Sequence, residues 1–279
     1  EGPAVINRSV TLRGIGDARI EGDGNGTVLT VTAPRTAIVG LNVSGTGNET
    51  PGRTVTDDPS HHTTGASHTK ADTVGDDSWD ADVEEDYAQG DTAIAATSAE
   101  NILISETEIH TSAAGMILYE SPNMVVRNTT VVGRDNYQKG HMGIVAMRSP
   151  GVVENSTFIG GLDGVYTHRA DGIVVRNNEM RQNRMGIHLM FTSGALLAGN
   201  SIRNQETAGI HVMTGPQRNA IVNNEVSESE TGISFGGSDA YVAGNILTKN
   251  DLGLRIEGDA SIVERNVIAE NYEGVETWA

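Results

Sequence analysis

The stretch Gly186-Ile187-His188-Leu189-Met190 is followed by Ala195-Leu196-Leu197-Ala198 and then by Asn200-Ser201-Ile202. The same order begins again at Gly209-Ile210-His211-Val212-Met213, 23 residues on. Short segments of alternating apolar and polar residues make strands with one buried and one outward face. The opening glycine recurs at Gly115, Gly143, Gly164, Gly186, Gly209, Gly232, Gly253 and Gly274, in steps of 28, 21, 22, 23, 23, 21 and 21 residues. A fixed period of this size marks a solenoid, in which each unit buries its apolar face against its neighbours. The reading is all-β: a right-handed, single-stranded parallel β-helix of about nine coils of 21–23 residues. Helices are excluded by the lack of a sustained i, i+3, i+4 apolar pattern and by the many Gly and Asn breakers. Leucine-rich repeats have a similar period, but their leucine and asparagine spacing is absent.

An asparagine follows the second strand at a near-constant offset, at Asn128, Asn155, Asn178, Asn200, Asn224, Asn245 and Asn266. Asparagine tolerates the left-handed conformation of a tight corner, and stacked Asn side chains can hydrogen-bond along the solenoid axis. Toward the N-terminus, Val10-Thr11-Leu12, Arg19-Ile20, Val28–Val31 and Ile38–Val43 read as one and a half to two further coils. The pattern then lapses from 45 to 92 and resumes at Ala93-Ile94-Ala95. Residues 1–279 are thus expected to form one β-helix domain interrupted by a loop insertion at 45–92, which is expected to be mobile or to lie across the outside of the coils and to be the first site of proteolysis.

The chain carries 37 Asp and Glu against 19 Lys and Arg, only three of them lysine, for a net charge of −18. Lysine scarcity with acidic surplus points to a halophilic source, where salt screens carboxylate repulsion. The same balance argues against a nucleic-acid partner, which needs a basic footprint. There is no cysteine, hence no disulfide and no thiolate metal site. No apolar run is long enough for a transmembrane segment, and no signal peptide is evident. Aromatic residues make up only 4%, in keeping with a narrow core of Ile, Val, Leu and Ala.

Counting the glycine as zero, positions one and three face inward and positions two and four outward. Position two holds Ile117, Val145, Tyr166, His188, His211, Ser234 and Arg255; position four holds Tyr119, Met147, His168, Met190, Met213, Gly236 and Glu257. With coils about 4.8 Å apart, Met147, His168, His188, Met190, His211 and Met213 should form one contiguous outer patch. Imidazole and thioether suit copper, and thioether suits Cu(I) especially. The bland reading is a half-apolar face covered by the 45–92 insertion or by a protein partner. The central candidates are His188, Met190, His211 and Met213, on adjacent coils, and alanine at His188 and His211 is expected to leave the fold intact.

Further stretches resemble the NosD family, the nitrous oxide reductase maturation proteins. These are Glu1–Ile6, Val10–Gly14, Ile20-Glu21-Gly22, Gly26-Thr27-Val28 and above all Arg184–Thr192, where the family carries a similar Gly-Ile-His-aromatic-Met segment. Gly209–Met213 partly echoes it. The resemblance implies a copper-handling metal chaperone of denitrification, periplasmic or outside an archaeal cell membrane. As partners it implies ABC-type transporter subunits and nitrous oxide reductase or a copper donor protein. The acidic insertion, and the missing His and Met on the outer face at Gly232 and Gly253, depart from the family.

A polysaccharide lyase or hydrolase of β-helix type is the enzymatic alternative. Glycan hydrolysis needs two carboxylates across a groove, with Asp163, Asp171 and Glu120 as candidates. Polygalacturonase signatures are absent, and turn aspartates are commonly turn formers, so no catalytic activity is expected. A cell-surface structural or adhesion module is the third class, suggested by Asn-x-Ser/Thr sequons at Asn7, Asn25, Asn42, Asn48, Asn128 and Asn155. Within the insertion, Asp76, Asp77, Asp80, Asp82, Glu84, Glu85 and Asp86 read as a solvated acidic tract, since the calcium-loop glycine is missing. His61, His62 and His68 read as exposed loop residues.

Overall fold

The computed structural model describes residues 3–49, 84, 87–133, 142–213 and 215–278. They form a right-handed parallel β-helix of about ten turns, slightly more than the nine expected. The N-terminal region contributes two full coils: Ala4–Ile6, Thr11–Arg13 and Arg19–Glu21, then Leu29–Val31, Ala37–Val39 and Asn42–Ser44. Each coil has three strands and so three faces. The second face, typified by Leu196–Ala198, is a separate 10-stranded sheet. The first and third faces join in a 19-stranded sheet, because Thr157–His168 and Glu179–Met190 run on through the corner between them. All pairing is parallel and in the register that the glycine spacing implies: Ile187 lies over Ile210 and His188 over His211.

Positions one and three point inward as expected. Ile187, Leu189, Ile210, Val212, Ile233, Phe235 and Leu254 belong to one continuous buried core along the axis. The recurring glycine is explained by space. A Cβ on Gly186 would lie 2.6 Å from the Gly209 carbonyl oxygen and 2.7 Å from Ile202 Cγ2. The same approach to the next coil's glycine carbonyl repeats from Gly115 through Gly253, whereas Gly274, in the last strand, has nothing within 4 Å. Gly186→Ala should therefore lower stability by about 1–3 kcal/mol, the usual cost of overpacking, and Gly274→Ala should not. Urea denaturation of the two variants checks this, and equal midpoints would refute the steric account.

The asparagine column needs one correction. Asn178, Asn200, Asn224 and Asn245, all buried, and half-buried Asn266 form a ladder, with amide-to-amide bonds of 2.9–3.1 Å between successive coils. None of these five adopts positive φ; the residue before each does, at Asn177, Gly199, Asn223, Gly244 and Arg265. Corner conformation and axial hydrogen bonding are thus the tasks of two neighbouring positions. Asn128 and Asn155 belong to the corner set, with φ of 50° and 49°. In their coils Thr129 and Ser156 occupy the ladder, linked by Thr129 N to Ser156 Oγ at 3.2 Å and Ser156 N to Asn178 Oδ1 at 3.0 Å.

Candidate functional site

The strands opened by Gly115, Gly143, Gly164, Gly186 and Gly209 put their even positions on the outside of the first face. Register aligns Tyr119, Met147, His168 and Met190 in one row and Ile117, Val145, Tyr166, His188 and His211 in the next. The expected contiguity is present, but most of the face is not open to solvent. Met147 and His168 are fully buried, His188 and Met190 are below 10% exposed, and only His211 and Met213 are partly accessible. The cover comes from the insertion. Tyr87 belongs with Ile117, Val145, Met147, Tyr166 and Met190 to a second apolar cluster outside the solenoid core, and its ring stacks on Tyr166 at 4.7 Å.

Glu84 seals the other end of this cover. Its Oε2 accepts a 2.7 Å hydrogen bond from Arg148 Nε, while Oε1 lies 3.7 Å from Arg169 Nε and 3.8 Å from His168 Nε2. Glu84 is buried, contrary to its reading as part of a solvated tract. The remaining acidic residues of that tract, and His61, His62 and His68, lie outside the described residues. So does most of the 45–92 stretch expected to be mobile.

His168 stands between Met147 and Met190 in its row, with the Phe191 ring 5.3 Å away. Neither ring nitrogen has a hydrogen-bond partner. Burial, then the positive charge of Arg148, holds its imidazole down at about 4, so it is neutral near pH 7. The other half of the site is organised by Asp163, which follows the left-handed corner glycines Gly160 and Gly161. Arg184 donates to Asp163 from Nη2 at 2.9 and 3.0 Å and from Nε at 3.2 Å, and His188 Nδ1 lies 3.0 Å from the carboxylate. Burial alone would push Asp163 up, but Arg184 and His188 more than offset it and hold it at about 2. An ionised carboxylate only accepts, so His188 Nδ1 carries the proton and Nε2 is the nitrogen left to ligate. The His188 and His211 rings are 5.3 Å apart, and the Tyr166 hydroxyl donates to Met190 Sδ at 3.0 Å.

This geometry revises the expectation that alanine at His188 would leave the fold intact, because His188 is a partner of a buried carboxylate. The carboxylates weighed for glycan chemistry have other roles. Asp163 is sealed beneath Arg184 and His188, Asp171 caps the Ser193 N–H at 2.7 Å, and Glu120 accepts from Ser98 at an exposed corner. Sequence reasoning missed Glu84, Tyr87, Arg148 and Arg184. Only the insertion's position beside an apolar outer face hinted at the first two.

Copper fits the donors present. Among the described residues no three His, Cys, Asp or Glu side chains converge on one point, and the further donors on this face are thioethers. A buried imidazole with unpartnered nitrogens between two methionines is such a set, and it is one that Cu(I) favours over harder metals.

Comparison with known proteins bears on the same point. No curated protein sequence matches the chain. Among solved structures, the Dettilon tailspike protein superposes with a TM-score of 0.64 at 11% identity, covering 98% of this chain and 60% of the tailspike. A mutant of the periplasmic alginate epimerase AlgG gives 0.61 at 14% identity, covering 91% and 60%. DFA-IIIase from Arthrobacter chlorophenolicus A6 gives 0.52 at 11% identity, covering 90% and 60%. The chain thus spans about 60% of the length of these proteins, and at such identity the likeness is one of fold. Among the described residues no helix is long and apolar enough to cross a membrane. The family model described as "Periplasmic copper-binding protein (NosD)" matches residues 46–225 and 138–279. That match takes in every His and Met of the outer face and well over half of the sequence, and the chain belongs to the NosD family.

Proposed function

We propose that the protein handles copper outside the cytoplasm, taking it as cargo for the assembly of nitrous oxide reductase together with an ABC-type transporter, and that it is not an enzyme. The observation that carries this reading is His168. A neutral imidazole is fully buried, with no hydrogen bond to either nitrogen, in the row between Met147 and Met190. Leaving buried polar atoms unpaired costs about 1–3 kcal/mol each, a cost that a metal ligand recovers on binding. His188 is oriented by Asp163 in the way carboxylates orient metal-bound histidines. His211 and Met213, the more accessible donors, offer a second, outer position, and donors of this type in series suit transfer better than a closed structural site.

Copper titration of the metal-free protein in both oxidation states, with elemental analysis of the product, tests the reading. His168→Ala and the double variant His188→Ala/His211→Ala should each weaken binding by about tenfold or more, at least the loss seen on removing an outer-shell partner; because His188 partners buried Asp163, His211→Ala alone and far-UV circular dichroism separate lost ligation from lost fold. Because His168 stays neutral to about pH 4, its ligation should survive mild acid that would protonate an ordinary imidazole near 6.5. A parent protein that binds copper in neither state would leave the patch as a docking surface and end this reading.

A further inference from the structure

The acidic insertion does more than cover the outer face. Glu84 Oε1 and both ring nitrogens of His168 are buried and without hydrogen-bond partners, and Oε1 and Nε2 face one another across 3.8 Å. This gap is too long for a hydrogen bond. It is within the span of two bonds of the length that metals such as zinc make to imidazole and carboxylate, about 2.0–2.2 Å each. The other carboxylate oxygen is fixed by Arg148 at 2.7 Å, so Oε1 is aimed rather than free to swing. Tyr87, three residues on, anchors the same segment by stacking on Tyr166. Arg169 Nε lies 3.7 Å from the same oxygen, an ion-pair distance without a hydrogen bond. Two donor atoms without hydrogen bonds, from segments 84 residues apart, thus face one another as a half-built coordination site.

We propose that Glu84 is an oxygen ligand of the copper that His168 binds, so that this side chain both covers the site and completes it. This rests on the copper reading above. A carboxylate is a hard donor beside the soft methionines, and it favours Cu(II), whereas thioethers favour Cu(I). Glu84 therefore gives one site a grip on both oxidation states.

The test is Glu84→Gln in the whole chain, titrated with Cu(II) and with Cu(I) beside the parent and His168→Ala. Glutamine still accepts the Arg148 hydrogen bond, so the segment stays seated, and circular dichroism of the aromatic region checks the Tyr87–Tyr166 stack. The expected result is a loss of Cu(II) affinity of about tenfold or more with little change for Cu(I), while His168→Ala loses both. Unchanged Cu(II) binding by Glu84→Gln, with His168→Ala impaired, overturns the proposal and leaves the copper reading standing; a buried water then bridges the gap. Equal loss in both oxidation states also overturns it, making Glu84 a latch for the cover. A parent that binds copper in neither state overturns both readings.

Discussion

Replacing Asp163 with alanine is expected to cost about 3–5 kcal/mol of stability, the range for removing one partner of a buried ion pair. Asp163 is fully buried and accepts from both Arg184 and His188. Its loss leaves a guanidinium in a largely dry site with no opposite charge. Acid should reproduce part of this effect. The folded-state carboxyl sits at about 2 against an ordinary 3.8, so its contribution is complete above 3.8 and is lost as pH falls through 2. At about 1.4 kcal/mol per unit that is about 2 kcal/mol. Protonation is milder than truncation because the side chain stays in place and still fills the space beside Arg184. Urea midpoints at neutral pH, with a double-mutant cycle against Arg184→Met, measure the term; guanidinium would screen the charges being tested. A single variant within about 1 kcal/mol of the parent would show that the cluster adds little to stability.

The second large effect is expected at Asn224. Its Oδ1 accepts from Asn200 N at 3.0 Å and from Asn200 Nδ2 at 2.9 Å, and its Nδ2 donates to Leu197 O at 2.9 Å and Asn245 Oδ1 at 3.0 Å. Asn224→Ala leaves Asn200 N buried without a partner, while Leu197 O loses one of two bonds and keeps its place in the parallel ladder opposite Ala220–Val222. At about 1–3 kcal/mol for such a group, that is the expected loss. Asn223 is the control one residue away. It is exposed, with φ of 55°, so Asn223→Gly should be nearly neutral because glycine accepts that conformation. Hydrogen exchange of the Asn200 amide reads the same event locally: it should lose protection in Asn224→Ala and keep it in Asn223→Gly. Matching losses in the two variants would mean that the ladder is incidental and that the corner sets stability.

These two predictions show where the sequence was sufficient. The Gly-Ile-His-Leu-Met unit and its 21–23-residue spacing determine the solenoid, because a strand of that alternation is stable only if copies stack on it. The same period determines which side chains face inward and which share an outer row. It therefore places Met147, His168, His188, Met190, His211 and Met213 together. It could not separate Asn223 from Asn224, or show that Asn128 and Asn155 sit one position before the ladder, because corner and ladder are adjacent and both accept asparagine.

What only the tertiary structure decided lies outside the repeat. Alternation gives the direction of a side chain relative to its own strand, not whether another segment lies over it. Glu84 reaches Arg148 across 64 residues, and Tyr87 stacks on Tyr166, through contacts that follow no period. The same holds for Asp163, whose neighbours suggested a turn acid until the register brought Arg184 and His188 around it. The sequence by itself determined the scaffold and the row of donors, because both follow from local periodicity. Burial of that row, the charge state of His168 and Asp163, and the approach of Glu84 were decided by the folded chain, because each depends on a non-repeating segment packing against the repeat.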